Sequence, residues 1–108
     1  MKKLENKVAI ITGAAGSIGK ITAKLFLEEG ARVMLVDLTE DELKQTVEEL
    51  NSEHVKYCVA DVAKSIDVQR YINETVKLLG KIDIFFNNAG IEGEIKPIIN
   101  YQRKYLMK

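Results

Sequence analysis

The stretch that decides the fold is Val-Ala-Ile-Ile-Thr-Gly-Ala-Ala-Gly-Ser-Ile-Gly, residues 8–19. Its first five residues are mostly β-branched and are followed by Gly13, which is typical of a short strand buried on both faces of a sheet. The glycines that follow favour a tight turn into a helix, where backbone N–H groups at the positive helix end can face a pyrophosphate. The same turn also occurs where it only lets a strand and a helix pack closely, so it does not establish a binding site by itself.

Strand and helix patterns alternate along the rest of the chain. In the first helix, Ile18, Ile21, Leu25 and Phe26 form an apolar stripe that we expect to face the sheet. Strands joined through helices pair in parallel with right-handed crossovers, so the pattern predicts a doubly wound α/β fold. The predicted strands are 8–12, 32–37, 54–60 and 82–86, and the predicted helices are 18–29, 39–50 and 65–79.

The predicted helix bounds depend on capping residues. Thr39, with Glu42 three residues later, is typical of a capping box, and Ser65 is typical of an N-cap. Gly30 and Gly80 stand where the first and third helices should end, because glycine accepts the left-handed conformation common at that position.

An acidic residue stands at the end of the second predicted strand. Asp37 lies 18 residues beyond Gly19, where a carboxylate can accept both hydroxyls of an adenosine ribose. Taken alone, Asp37 also fits an exposed residue near a helix start. A carboxylate repels a 2′-phosphate, and neither Leu38 nor Thr39 nor the turn supplies a cation, so the pattern favours NAD over NADP.

Composition limits the remaining functions. The 108 residues form one domain, and 16 basic against 16 acidic residues leave no net charge to attract nucleic acid or an anionic membrane. The N-terminal apolar run is too short for a signal peptide or a membrane span, and we expect a cytoplasmic protein. Cys58 is expected to be a buried apolar residue, and Cys58 with His54 cannot complete a zinc site.

With these features, the chain resembles the short-chain dehydrogenases/reductases. The resemblance rests on Thr12-Gly13 with Gly19, on Asp37, on Asp61-Val62 after the third strand, and on Asn87-Asn88-Ala89-Gly90 after the fourth. It implies that Asp61 and Val62 flank the adenine ring and that Asn88 to Gly90 line the ribose on the nicotinamide side. The asparagines could instead mark only a strand-to-loop turn. The predicted cofactor-binding residues are Gly13, Gly16, Ser17, Ile18, Gly19, Asp37, Leu38, Asp61, Val62, Asn88, Ala89 and Gly90.

The resemblance also implies a strand order of 3-2-1-4, with the first two helices on one face of the sheet and the third on the other. Ser17 stands where the family usually has glycine, and its hydroxyl could donate to a phosphate. After the fourth strand we expect an open sheet edge at 82–86, which favours self-association. The aromatic residues Tyr57, Phe85 and Phe86 are expected in the core.

No catalytic residue is predicted. The resemblance implies that the family's catalytic serine, its Tyr-x-x-x-Lys pair and a helper asparagine lie downstream of the segment matched here. Tyr101 and Tyr105 do not replace that pair, because each is followed by a lysine at a shorter spacing. We therefore expect the cofactor-binding portion of an NAD-dependent alcohol or carbonyl oxidoreductase, inactive by itself, with a small-molecule substrate only in a full-length form. A non-catalytic NAD-binding module and a structural fragment that binds nothing are the alternatives.

Overall fold

The computed structural model describes residues 2–88 and 95–97 and contains the predicted alternation of strands and helices. The predicted and observed bounds agree within two residues at each end. The elements are β1 (Val8–Thr12), α1 (Ser17–Glu28), β2 (Arg32–Asp37), α2 (Glu40–Leu50), β3 (Val55–Val59), α3 (Ser65–Leu79), β4 (Ile84–Asn87) and β5 (Ile95–Pro97). No helix within the described ranges is long and apolar enough to cross a bilayer.

The strands form one sheet in the order β3-β2-β1-β4-β5. The first four pair in parallel, with Val8 opposite Arg32 and Ala9 opposite Ile84, which confirms the predicted 3-2-1-4 order. The carboxyl ends of these four strands therefore meet at one edge of the sheet.

The predicted open edge at β4 is wrong. The fifth strand, β5, pairs with β4 in the antiparallel direction and places Pro97 opposite Ile84. The three residues of β5 carry no alternating pattern that would indicate a strand, so their pairing depends on the neighbouring β4. Self-association stays a prediction, but an unpaired β4 edge no longer supports it.

The sheet buries an apolar layer on each face, as expected for alternating side chains of parallel strands. On one face Ile10 and Met34 pack with Tyr71 of α3. On the other face Ile11 and Leu43 belong to the cluster that α1 and α2 cover. The predicted division of the helices between the two faces is confirmed.

The predicted buried stripe of α1 is wrong for three of its four residues. Ile18, Ile21 and Leu25 are 62%, 60% and 55% exposed. The buried residues of α1 are Gly19 and Ala23, and Phe26 is partly buried against the same face. Gly19 lets the start of α1 approach the backbone of the turn after β1 closely, and this approach turns the larger side chains outward.

The capping predictions are partly confirmed. Thr39 is the N-cap of α2, but its side chain makes no capping hydrogen bond. Ser65 is the first residue of α3, and Lys64 takes the N-cap position instead. Gly80 ends α3 in the left-handed conformation, with φ 93°, as predicted.

Candidate functional site

A cleft of about 410 Å³ opens at the carboxyl ends of the parallel strands. The strand order reverses at β1, because β2 lies on one side of β1 and β4 lies on the other. The cleft lies at this reversal, and ligands of open α/β sheets bind at such switch points. Its lining residues are Gly13, Gly16, Asp37, Leu38, Ala60, Asp61, Val62 and Asn88.

The cleft thus gathers predicted residues from four separate places in the sequence. Of the predicted residues that are not in this lining, Ser17, Ile18 and Gly19 form the first turn of α1. Ala89 and Gly90 lie outside the described residues, as do Tyr101 and Tyr105. Ala60 was not predicted, although its position directly before Asp61 at the end of β3 could have indicated it.

The glycine turn brings the start of α1 to the cleft. Gly13 has φ 64°, a left-handed conformation that favours glycine, and it redirects the chain after β1. A Cβ at Gly19 would lie 2.4 Å from the Gly13 carbonyl oxygen and 2.7 Å from Ala14 Cα, so α1 can pack here only with glycine. A Cβ at Gly16 would meet only the Gly13 oxygen, at 3.5 Å. Gly19 is therefore required for packing, whereas Gly16 is not.

The N-terminus of α1 offers a positive pole without a competing side chain. Its N-cap, Gly16, has no side chain to accept a hydrogen bond, and no acidic residue occupies the first turn. The first amides of a helix lack intrahelical partners and carry partial positive charge. This end of α1 is suited to a phosphate group.

The Asp37 carboxylate bridges the end of β2 and the glycine turn. Its Oδ2 accepts the Ala15 N–H at 2.9 Å, and its Oδ1 accepts the Leu38 N–H at 2.7 Å. A carboxylate has about four acceptor sites, so further acceptor capacity remains for a ligand hydroxyl. The hydrogen bond between Ala15 and Asp37 thus joins the glycine turn directly to the end of β2.

Asn87 at the end of β4 and the following Asn88 are tied to β1 and its turn. The Thr12 hydroxyl donates to Asn87 Oδ1 at 2.9 Å, and Thr12 is fully buried. Asn88 Nδ2 donates to the Gly13 carbonyl oxygen at 3.2 Å. These bonds hold the end of β4 and Asn88 against β1 and the glycine turn, so the two asparagines join neighbouring segments of the site.

The first turn of α3 holds Asp61 in place in the cleft lining, after the end of β3. The Asp61 N–H donates to Asp67 Oδ2 at 2.8 Å, and Asp61 Oδ1 accepts the Ala63 N–H at 2.9 Å. Val62 is partly buried and packs against the α3 side of the core. The Asp61-Val62 pair is thereby presented to the cleft in a defined conformation.

Cys58 lies in the core rather than in the cleft lining. It is 7% exposed, and Arg70 Nη1 approaches its Sγ at 3.4 Å. Burial raises the pKa of the Cys58 thiol, although the Arg70 charge acts in the opposite direction. The thiol is therefore mostly protonated at neutral pH and poorly suited to nucleophilic chemistry.

The family model for short chain dehydrogenases matches residues 7–107 of this sequence. The chain belongs to the short-chain dehydrogenase family. This family comprises oxidoreductases that use nicotinamide dinucleotides and small-molecule substrates. The family membership and the parallel sheet flanked by three helices confirm the prediction made from the sequence motifs.

Individual relatives agree with this assignment. The chain is 44% identical over 100 residues to short chain aldehyde dehydrogenase 1 from Euphorbia lathyris, covering 91% of this chain and 34% of the relative. It is 46% identical over 98 residues to tropinone reductase-like 1 from Erythroxylum coca, covering 90% and 36%. A crystal structure of a short chain dehydrogenase from Mycobacterium smegmatis matches with a TM-score of 0.79 and 37% identity, covering 87% of this chain and 41% of that one. The chain spans about a third of the length of these curated relatives.

Proposed function

We propose that the cleft binds NAD in preference to NADP and that the chain supplies the cofactor-binding portion of an alcohol or carbonyl oxidoreductase. The observation that carries this proposal is the Asp37 carboxylate, held at the cleft beside the glycine turn by the Ala15 N–H. It brings a ribose acceptor and a phosphate-binding turn into one site, as a dinucleotide requires.

The pyrophosphate is assigned to the start of α1. Gly16 has no side chain and the first turn of α1 has no acidic residue, so no side chain there competes for the helix amides. The N–H groups of Ser17 and Ile18 can therefore donate to phosphate oxygens. Ser17 adds a hydroxyl at the first helical position, which is exposed. We assign that hydroxyl as a further donor to the phosphate.

The adenosine is assigned to the wall formed by β2 and β3. Asp37 retains acceptor capacity for ribose hydroxyls, and Leu38 and Val62 give apolar surface on either side for the adenine ring. Leu38 is 64% exposed, so covering it with the ring removes apolar surface from water. Asp61 lies beside Val62 on this wall.

The preference for NAD follows from the charges around this wall. The residues that line the described cleft include Asp37 and Asp61 and no lysine or arginine. A 2′-phosphate on the ribose would therefore meet a carboxylate without a compensating cation.

The nicotinamide side is assigned to Asn88 and, beyond the described residues, to Ala89 and Gly90. The bound nicotinamide would supply the hydride acceptor. The family's Tyr-x-x-x-Lys pair, whose tyrosine transfers the proton, and the serine that steadies the substrate oxygen are not matched in the 108 residues. General acid–base catalysis of this kind contributes about 10²- to 10⁴-fold in rate. We therefore expect this chain to bind the cofactor without turning over alcohols or ketones.

Calorimetric titration with NADH and with NADPH tests the proposal. We expect tighter binding of NADH, and a loss of about ten- to hundredfold in NADH affinity on Asp37→Ala, the range for hydrogen bonds to a charged group. Asp41→Ala is the matched control, since it removes the same charge from the exposed first turn of α2 outside the cleft. Equal affinities for the two cofactors, or the same NADH affinity in Asp37→Ala and Asp41→Ala, would overturn the assignment.

A further inference from the structure

We propose that Asp37 is also a positioning residue, whose carboxylate holds the glycine turn in its phosphate-binding conformation through the Ala15 N–H. This role is separate from contact with the ribose, because the bond from Ala15 to Asp37 Oδ2 exists within the chain itself. Asp37 thus acts on the phosphate end of the cleft without touching the phosphates.

Two backbone hydrogen bonds donated by residues of the turn on either side of Ala15 are longer. The Ala14 N–H donates to the Val36 carbonyl oxygen and the Gly16 N–H to the Gly13 carbonyl oxygen, both at 3.2 Å. The bond from Ala15 to Asp37 is 2.9 Å long and has a charged acceptor, and such bonds are roughly twice as strong as neutral ones. It therefore contributes more to the order of the turn than either backbone bond.

The carboxylate is itself held in a fixed position. Its second oxygen accepts the Leu38 N–H at 2.7 Å, which fixes the side-chain orientation at the end of β2. Because β2 pairs with β1 up to Val36, which lies opposite Thr12, the Asp37 carboxylate that follows is anchored to the strand next to the turn. The sheet thereby fixes the Asp37 carboxylate, and the carboxylate fixes the position of the Ala15 N–H.

This arrangement couples the two ends of the cleft. A ligand that has phosphates but no ribose hydroxyls should still lose affinity when Asp37 is replaced, because the turn becomes less ordered before the ligand arrives. A substitution intended to admit a 2′-phosphate by removing Asp37 should consequently weaken pyrophosphate binding as well.

Nuclear magnetic resonance of the ligand-free chain tests the positioning role directly. In the wild-type chain we expect a scalar coupling across the hydrogen bond from the Ala15 amide nitrogen to the Asp37 carboxyl carbon. Asp37→Ala should speed hydrogen exchange of the Ala15 amide by about tenfold or more, as expected on loss of a charge-assisted bond. Absence of the coupling in the wild-type chain would overturn the proposal even if the variant does not fold.

A matched control exists at the opposite end of the sheet. The Asp83 carboxylate accepts the Val8 N–H at 2.8 Å, the same kind of bond far from the cleft. Asp83→Ala should speed exchange at Val8 and leave Ala15 unchanged, whereas Asp37→Ala should do the reverse. If both variants accelerate both amides equally, the effect is a general loss of stability and the positioning role is wrong.

The ligand measurement rests on the proposed dinucleotide function. ADP and 2′,3′-dideoxy-ADP are titrated into wild-type, Asp37→Ala and Asp83→Ala chains. We expect Asp37→Ala to weaken both ligands, and dideoxy-ADP by several-fold, although that ligand has no ribose hydroxyl for Asp37 to bind. Unchanged dideoxy-ADP affinity with weakened ADP affinity would contradict the positioning role and leave the ribose assignment intact. Failure of ADP to bind the wild-type chain would contradict the proposed function, while the exchange measurement still decides the positioning role.

Discussion

Replacing Gly19 by alanine should destabilise the fold, although Gly19 lies within a helix. Alanine in a helix interior is ordinarily about 1 kcal/mol more favourable than glycine. At this position the added methyl would lie 2.4 Å from the Gly13 carbonyl oxygen and 2.7 Å from Ala14 Cα. Both are backbone atoms of the turn, so neither can move without displacing the segment that faces the cleft.

The magnitude follows from the cost of overpacking. Forcing an extra methyl into a packed site costs about 1–3 kcal/mol, and here the obstacle is backbone rather than a side chain that can rotate. We therefore take the upper end of that range, about 3 kcal/mol, and subtracting the gain of about 1 kcal/mol in helix propensity leaves a net loss of about 2 kcal/mol. With a urea dependence of about 2 kcal/mol per molar, the midpoint of unfolding falls by about 1 M.

Gly16→Ala is the matched control for this measurement. A Cβ at Gly16 meets only the Gly13 oxygen at 3.5 Å, an ordinary contact, and the residue has φ −77°, which alanine adopts. Its stability should stay within about 1 kcal/mol of the wild-type value, the scale of an N-cap change. Urea unfolding followed by circular dichroism compares the three chains. A Gly19→Ala chain as stable as the Gly16→Ala chain would refute the steric reasoning.

Two further predictions concern buried groups. Thr12→Val keeps the shape of the side chain but removes the donor to Asn87 Oδ1, so the free energy of unfolding should fall by about 1 kcal/mol; no change in the urea midpoint would show that this bond adds nothing. Because Cys58 is buried, its thiol should react with a thiol reagent more slowly in the folded chain than free cysteine does. In high urea the unfolded chain should react at the rate of free cysteine. Equal rates in the folded and unfolded chains would contradict the buried position of Cys58. Folding raises the pKa of the Cys58 thiol, so the protonated thiol favours the folded state. Its contribution to the free energy of unfolding is complete below the pKa of the unfolded chain, about 8.5, and is lost as the pH rises through the pKa of the folded chain.

The amino-acid sequence by itself determined the alternation of strands and helices and the place of the cleft. Buried parallel strands require β-branched runs such as Val8–Thr12, and the connecting helices require an apolar period, so both leave a local signal. The right-handed crossover then brings the carboxyl ends of these strands to one edge, which placed Gly13 and Asp37 together without any knowledge of contacts, and the family resemblance added Asp61.

Only the tertiary structure decided which face of α1 is buried. Ile18 and Ile21 fit a helical period as well as Gly19 and Ala23 do, and hydropathy favours the larger residues. The close approach of α1 to the backbone of Gly13 and Ala14 selects the small residues, because a larger side chain at position 19 has no space there. The distance between α1 and the turn depends on how the two segments pack, and the sequence of either segment alone does not specify it.

The tertiary structure also decided the pairing of β5 with β4 and the bond between Asp37 and the Ala15 amide. A strand as short as β5 leaves no periodic pattern, and it pairs because β4 presents unpaired backbone groups beside it. The Ala15 amide is likewise the same chemical group in every sequence, so its partner depends on where the fold places an acceptor. Residue type therefore predicted that Asp37 faces the cleft, whereas backbone geometry determined that it also holds the turn.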